Sequence, residues 1–285
     1  MLFLGLLLAG LGIAAIADFG GSDDSDSDDG GNTPDEVTTS DIITDGEPGV
    51  MYEGTAGDDE IYATTGSDLA AGEDGNDVIR GRAGPDVLMG GEGDDSLFGQ
   101  TGQDRVMGDS GDDEVHGGAG EDTMMGGSGN DTLYGGPGDD ELVGADITNR
   151  DWELGDWHAE ITPSSDHEFQ APEADEANVL YGGDGNDSVV LGEGDTAFGG
   201  SGNDEFEVGS WVEDEENVPV VQDFNAAEDI LCVQYLEGTE EPSITLGSDG
   251  EETLVYADGQ LVLRVLGETG TLEASDVCDA YISFS

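Results

Sequence analysis

The chain has 285 residues, of which 35% are hydrophobic and 49 are glycine, and its formal net charge is −64, with 69 acidic residues against five basic ones. This is too much glycine and too little apolar mass for an ordinary globular core. The negative surface excludes binding to nucleic acid or to an anionic membrane surface, and it attracts cations. On composition alone, a solvated or salt-adapted surface is the alternative explanation.

The first segment, residues 1–17, carries no charged side chain and ends in Ala15-Ile16-Ala17. The small-x-small ending predicts a signal peptide that is cleaved before Asp18. Because the segment lacks a positively charged start, an uncleaved membrane anchor is the alternative. Either way, we expect a secreted or outward-facing protein.

Residues 18–53 are predicted to be an acidic, disordered linker, because they contain few apolar residues and many like charges. Asp24, Asp26 and Asp28 alternate like the start of an EF-hand calcium loop. That loop needs glycine at its sixth position, where this chain has Asp29. The EF-hand interpretation is therefore excluded.

From Gly54 to Val143 the chain repeats every nine residues in ten consecutive units, such as GGSGNDTLY and GGPGDDELV. The fourth residue of each unit is glycine and the eighth is apolar. The sixth is always aspartate: Asp59, Asp68, Asp77, Asp86, Asp95, Asp104, Asp113, Asp122, Asp131 and Asp140. Three columns in phase over ninety residues are a highly specific repeat signal.

Residues 144–172 interrupt this phase as an insertion that contains Trp152, Trp157, His158 and His167. A surface loop anchored by the tryptophans is the simpler interpretation, and a transition-metal site built on the histidines is the alternative.

The repeat resumes over residues 173–207. Asp187 and Asp204 stand at the sixth position of two clean units there. In the first resumed unit Asn178 takes that position. In the unit 191–198, which is one residue short, we place Thr196 at the aspartate position.

The last segment, residues 208–285, contains runs rich in β-branched and aromatic residues separated by turn signals, which predicts a β-rich module that caps the repeats. Both cysteines, Cys232 and Cys278, lie in it. A single disulfide is expected in an exported protein, and two unpaired thiols are the alternative.

Each nine-residue unit divides into a six-residue turn and a three-residue strand, whose eighth side chain points to one face. If successive units fall on opposite sides of a flattened coil, two thin parallel sheets result. One is lined by Ile61, Ile79, Leu97, Val115 and Leu133, and the other by Ala70, Leu88, Val106, Met124 and Leu142.

Stacking the units also brings the sixth-position carboxylates to a spacing of about 4.8 Å, where they repel one another. The thin core alone does not offset this repulsion and the conformational entropy of ninety ordered residues. Carboxylates and turn carbonyls form an all-oxygen site that suits Ca²⁺ better than Mg²⁺. We therefore expect the repeats to bind calcium and to fold as they do so.

This pattern resembles the GGxGxDxUx nonapeptide of the repeat-in-toxin (RTX, haemolysin-type) family. The resemblance implies an all-β, right-handed parallel β-roll (β-solenoid) in which each Ca²⁺ lies between turns two units apart, so that ten units offer about eight sites. The segment Val220–Val233 resembles the module that follows such rolls in serralysin-type proteins.

No catalytic arrangement is found in the sequence. Residues 108–111, GDSG, resemble a serine-protease motif but form one repeat turn in phase, and no H-E-x-x-H motif is present. We expect an exported, non-enzymatic calcium-binding protein that meets an export machinery. The alternatives are a surface adhesin or matrix component that contacts a polymer, and an accessory module of an RTX hydrolase, toxin or polysaccharide-modifying enzyme.

Overall fold

The computed structural model describes residues 49–144, 177–209, 212, 217–236, 241–250, 252–267, 272–274 and 277–282. The predicted signal segment and the four tryptophan and histidine residues of the insertion lie outside these ranges. Within them, no helix has the length and apolarity needed to span a bilayer.

The strands within the described residues form two sheets. Sheet I has ten strands, in the order β1 (Met51–Glu53), β3 (Leu69–Asp74), β5 (Val87–Glu92), β7 (Arg105–Ser110), β9 (Thr123–Ser128), β11 (Glu141–Val143), β13 (Ser188–Val190), β15 (Glu205–Gly209), β17 (Ile230–Leu236) and β21 (Val277–Ile282). Every neighbouring pair in sheet I is parallel.

Sheet II has eleven strands and stacks the alternate units. Its order is β18 (Ile244–Asp249), β19 (Glu252–Ala257), β20 (Gln260–Val265), β16 (Val220–Val221), β14 (Thr196–Ser201), β12 (Val179–Asp184), β10 (Thr132–Pro137), β8 (Glu114–Ala119), β6 (Ser96–Thr101), β4 (Val78–Ala83) and β2 (Glu60–Tyr62). The predicted all-β parallel solenoid is confirmed.

The register of both sheets follows from the nine-residue repeat. Paired residues are two units apart, as in Ile61↔Ile79 of sheet II and Ala70↔Leu88 of sheet I. The eighth-position side chains of both predicted columns are buried between the sheets, because strand alternation points them inward. The narrow core is thus built mainly from one side chain per unit, to which Ala63 and Leu191 at first positions are added.

The insertion leaves this register intact. Leu133 of β10 pairs with Leu180 of β12, a separation of 47 residues where the repeat alone gives 18. The difference of 29 residues equals the length of the predicted insertion. Beyond it, Leu180 pairs with Ala197 at a separation of 17, because the unit between them is one residue short.

The roll begins earlier than the sequence suggested. Residues Met51–Glu53 form β1, which pairs with β3, and Tyr52 is buried. The prediction that the linker extends to residue 53 is therefore wrong for these three residues. Tyr52 stands nine residues before Ile61, so it occupies the inward position of a unit that lacks the repeat's glycines.

The C-terminal segment continues the roll. Strands β16 and β17 extend sheets II and I in parallel, in the same sense as the repeats. An antiparallel meander of β18, β19 and β20 then ends sheet II, and β21 ends sheet I. The described part of the predicted capping module is thus built onto both sheets of the roll.

The outer face of sheet II carries a stack of ninth-position side chains. The rings of Phe98, His116, Tyr134, Tyr181 and Phe198 follow one another with centroids 4.5–5.0 Å apart and nearly parallel planes. Arg80 extends this stack by lying 5.1 Å from the ring of Tyr62 and 5.2 Å from that of Phe98. The strand spacing dictates the arrangement, because equivalent side chains lie directly above one another.

Cys232 and Cys278 are register partners in β17 and β21, with Cα atoms 4.5 Å apart and sulfur atoms bonded to each other. Glu205 lies beside them, with Oε1 2.9 Å from Cys232 Sγ. The three side chains are close enough to share a metal ion. A bonded pair of sulfurs, however, has no thiolate to offer such an ion.

We expect this pair to be oxidised in the exported protein and to hold the last strand of sheet I. Replacing both cysteines by serine is predicted to lower the free energy of unfolding of the calcium-loaded protein by about 2–4 kcal/mol. Urea unfolding at saturating calcium measures this loss. The number of calcium ions bound at saturation should not change, because the pair lies outside the repeats. Two free thiols in the exported protein, detected by mass spectrometry, would contradict the prediction.

Candidate metal centre

The sixth-position aspartates form two ladders, one along each row of turns. The first ladder contains Asp59, Asp77, Asp95, Asp113, Asp131, Asn178 and Asp195. The second contains Asp68, Asp86, Asp104, Asp122, Asp140, Asp187, Asp204 and Asp229. Apart from Asp229, each of these side chains is at most 4% exposed.

One side-chain oxygen of each ladder residue, Oδ1, accepts a backbone N–H, except in Asp59, whose Oδ1 is buried without a hydrogen-bond partner. The backbone N–H of Asp95 donates to Oδ1 of Asp113 at 2.8 Å, and the N–H of Asp77 donates to Oδ1 of Asp95 at 2.7 Å. The same bond recurs along both ladders at 2.7–3.2 Å. The Oδ1 atoms therefore fix the stacking of turns two units apart.

The other carboxylate oxygen, Oδ2, has no hydrogen-bond partner in the middle of the roll. It is buried and unsatisfied in Asp77, Asp86, Asp95, Asp104, Asp113, Asp122, Asp140 and Asp187. A buried acceptor without a partner costs about 1–3 kcal/mol, and a charged one costs more. A recurrent set of such atoms points to a ligand that supplies positive charge.

The first glycine of each unit makes room for this oxygen. A Cβ atom on Gly90 would lie 2.2 Å from Oδ2 of Asp95 and 2.5 Å from the carbonyl oxygen of Gly108. Gly108 shows the same arrangement toward Asp113 and the carbonyl oxygen of Gly126. The missing side chain thus lets a carboxylate oxygen and the carbonyl oxygen of the next stacked turn approach each other.

Three turns of the repeats differ, because their own backbone satisfies Oδ2. The N–H of Thr55 donates to Oδ2 of Asp59 at 2.5 Å. Both the N–H and the hydroxyl of Thr64 donate to Oδ2 of Asp68, at 2.7 and 2.6 Å. In the shortened unit, the N–H of Gly192 donates to Oδ2 of Asp195 at 2.7 Å. These three carboxylates are each held by the second residue of their own turn.

Burial perturbs the titration of the mid-roll aspartates. Desolvation is the largest cause and raises the pKa of Asp86, Asp95, Asp113 and Asp187 to about 7 and that of Asp77, Asp104 and Asp140 to about 6. Repulsion from the neighbouring carboxylates adds to this shift, and the ladder hydrogen bond opposes it. Stacked carboxylates in this setting favour either protons or a cation.

The donor set fits calcium. It consists of carboxylate oxygens and backbone carbonyl oxygens, without nitrogen or sulfur, which suits a hard cation with many oxygen ligands. The mid-roll aspartates and the carbonyl groups of the first glycines would hold such an ion. A bound Ca²⁺ supplies the charge that neutralises the stacked carboxylates.

The insertion weakens one position of the first ladder. Asn178 keeps the ladder bond, because its Oδ1 accepts the N–H of Asp131 at 2.8 Å. Its amide nitrogen donates to the carbonyl oxygen of Gly144 at 2.6 Å. Asn178 is therefore uncharged, and its amide nitrogen, which stands where an aspartate has Oδ2, is already hydrogen-bonded. It offers no carboxylate oxygen to a cation.

The assignment of Thr196 to the aspartate position is wrong. Asp195 is fully buried, and its Oδ1 accepts the N–H of Asn178 at 2.9 Å, so Asp195 continues the first ladder. The shortened unit loses a residue from its turn and not from its strand. Strand phase is the signal that identifies this, because Ala197 pairs with Leu180.

Sequence reasoning also missed two aspartates of the C-terminal segment. Asp229 extends the second ladder by accepting the N–H of Asp204 at 3.2 Å. Asp223 accepts the N–H groups of Gly199 and Gly200 at 2.9 and 3.1 Å. Both aspartates follow the last clear repeat. The sequence signal that could have identified Asp229 is the apolar run that begins directly after it, at Ile230.

A further ladder runs along the exposed fifth positions. Oδ1 of Asp112 accepts the N–H of Asn130 at 2.9 Å, and Oδ1 of Asn76 accepts the N–H of Asp94 at 3.2 Å. Because either residue type serves as the acceptor, this ladder needs an Asx side chain and not a charge. The hydrogen bonds from Asn130 lower the pKa of Asp112.

The family model described as "RTX calcium-binding nonapeptide repeat (4 copies)" matches residues 53–88, 81–115, 116–146, 175–196 and 193–210. These segments contain both ladders up to Asp204 and omit most of the insertion. No curated protein matches the chain with statistical significance.

The raised pKa values predict how the metal-free roll responds to pH. An aspartate whose pKa is raised in the folded state stabilises the fold while it is protonated. Its contribution is complete when the pH is below the ordinary aspartate pKa near 3.9, and it is lost as the pH rises through the folded-state pKa of about 6–7. Metal-free protein should therefore show more β structure at pH 5 than at pH 8 by circular dichroism. With calcium present, the half-saturation concentration should fall as the pH rises, because protons compete for the same oxygens. Metal-free β structure that increases with pH would contradict this.

Proposed function

Because the chain carries RTX calcium-binding nonapeptide repeats in a parallel β-roll, we propose that it is an exported, non-enzymatic protein whose roll folds as Ca²⁺ binds. The observation that carries the proposal is the series of buried Oδ2 atoms without hydrogen-bond partners. An ion that bridges these oxygens exists only where two turns are stacked. Calcium affinity and folding free energy are then two aspects of one equilibrium.

The charge balance supports coupled folding. Residues 54–143 contain twenty-two carboxylates and three arginines. Without a counter-cation, stacking these units concentrates negative charge in a buried space, which opposes compaction. Binding calcium reverses the sign of this contribution, so the ion decides whether the repeats form a roll or stay unfolded.

Export fits this mechanism, since calcium is abundant outside cells and the acidic chain meets it there. The apolar segment 1–17 and the cysteine pair both agree with passage into an oxidising compartment. Export by this route requires an export machinery, which would be a transient partner of the chain. An uncleaved anchor at residues 1–17 is the alternative, with the roll facing outward.

The absence of catalysis is part of the proposal. Ser110 of the GDSG run lies at the end of β7, and its carbonyl oxygen accepts the N–H of Gly93 in the ordinary turn ladder. Its position is structural. Enzymatic partner domains or proteins are compatible with this role, and the roll would then serve as their accessory module.

One observation favours a second candidate, a surface adhesin or matrix component. The stacked column from Tyr62 to Phe198 offers a straight row of ring edges along the outer face of sheet II. A row of this kind suits contact with an extended cell-surface or matrix polymer. A glycan array probed with calcium-loaded protein distinguishes this candidate from a protein that only binds calcium.

Calcium titration of residues 18–285, followed by circular dichroism, tests the main proposal. We expect coil-like spectra without metal and a cooperative gain of β signal at up to millimolar Ca²⁺. Magnesium at the same concentration should produce a much smaller change, because it sheds its water reluctantly. A native-like β spectrum in excess chelator at neutral pH would refute calcium-driven folding.

A matched pair of substitutions separates ligation from general charge. Asp113→Asn removes a buried carboxylate but keeps the Oδ1 acceptor, as Asn178 does in the same ladder. Asp112→Asn removes the adjacent exposed charge and keeps its acceptor, as Asn76 does. We expect Asp113→Asn to raise the calcium midpoint of folding several-fold and Asp112→Asn to change it little. Equal effects would show that overall charge, and not ligation, drives folding.

A further inference from the structure

Most of the described turns of the roll belong to one of two classes that the repeat motif does not distinguish. In an open turn, the second residue has a positive φ and Oδ2 of the sixth-position aspartate has no hydrogen-bond partner. In a closed turn, the N–H of the second residue donates to that Oδ2. Open turns include those that begin at Gly72, Gly81, Gly90, Gly99, Gly108, Gly117 and Gly135.

In the C-terminal segment the turn of Asp229 is closed in the same way, by the N–H of Asn225 at 2.7 Å, and the closed turns of the repeats are those of Asp59, Asp68 and Asp195. Their second residues, Thr55, Thr64 and Gly192, have no positive φ. Conformation and hydrogen bonding therefore change together. Where the backbone supplies a donor to Oδ2, that oxygen is already satisfied.

We propose that the second residue of each turn selects which turns bind calcium, so that open turns are ligands and the closed turns of Asp59, Asp68 and Asp195 are not. The inference rests on the proposed function, because it assigns ions within the ladders. It restricts the site list that the sequence suggested, in which Asp59 and Asp68 stood as ligands equal to the others.

Side-chain chemistry explains the selection. Threonine is β-branched, and branched residues are strongly disfavoured at positive φ. The hydroxyl of Thr64 also adds a second bond to Asp68, at 2.6 Å. In the shortened unit, Asp195 follows Gly192 by three residues instead of four, which closes the turn even with glycine.

Four open turns hold unbranched residues other than glycine at φ between 76° and 82°: Glu73, Arg82, Gln100 and Asp109. This conformation is unfavourable for such residues, and it persists only where the surroundings stabilise it. Backbone strain that recurs beside unsatisfied carboxylates is accounted for if a bound cation stabilises the open form.

Substitutions at the second position test the proposal on the protein without residues 1–17. The readout is the number of calcium ions bound per chain at saturation, measured by equilibrium dialysis. Gln100→Thr and Gln100→Val should each lose at least one ion, because both introduce a branched residue. Gln100→Asn is the control that keeps the count, since asparagine tolerates positive φ.

The converse substitution should create a site. Thr64→Gly frees the turn to open and should add at least one ion, and Thr64→Val, which stays branched, should not. Circular dichroism in saturating calcium shows whether Gln100→Thr folds. If it does not fold, the two Thr64 substitutions still decide the test.

The outcomes separate the two proposals. If the wild-type protein binds several ions and all five variants match it, the selection by the second residue is refuted and the calcium function stands. If the wild-type protein binds no calcium, the proposed function itself is refuted. If Thr64→Val gains an ion like Thr64→Gly, the hydroxyl and not the backbone conformation closes the turn, which also overturns the inference.

Discussion

The in-register stacking of identical turns is the constraint on which the rest of the protein depends. Every strand of the repeats pairs with one two units away, so each sixth-position carboxylate comes to lie about one strand spacing, roughly 4.8 Å, from the next. In the middle of the roll, one oxygen of each carboxylate gains a backbone donor from this arrangement, and the other is left in a buried space among like charges. The same geometry that orders the turns therefore creates their demand for a cation.

The hydrophobic core has a secondary part in this balance. Most units contribute one inward side chain, such as Leu97 or Val106, to the core between the two sheets. Each unit contacts mainly its neighbours along the roll, so stability is a sum of local interfaces. This explains why an insertion of 29 residues and a deletion of one residue leave the ladders continuous. A solenoid tolerates such changes wherever the strand register is kept.

The repeat made most of the fold predictable, because Ile61, Ile79 and the other inward residues recur at a fixed position. Three features of the structure were not predicted from the repeat. Tyr52 and Asp229 belong to units that have lost the glycines by which the repeat is recognised, although their strand phase is kept. In the eight-residue unit, counting six positions from its first residue leads to Thr196, whereas counting back from the strand leads to Asp195, which is the ladder residue. The division into open and closed turns depends on a backbone angle at a position where the motif accepts almost any residue.

The location of the closed turns follows from the physics of a finite stack. A cation between two stacked turns takes oxygen ligands from both of them. Beside a turn at the end of the stack, which has a neighbour on one side only, a cation on the open side would have only half of these ligands. Asp59 and Asp68, the first ladder aspartates of the described roll, instead obtain backbone donors from Thr55 and Thr64. At the other end, Asp229 receives the N–H of Asn225 and Asp223 those of two glycines. At each end the backbone thus supplies donors to Oδ2 or to both carboxylate oxygens, although Oδ1 of Asp59 stays buried without a partner. The turns whose Oδ2 atoms lack donors lie in the middle, where every one has two neighbours.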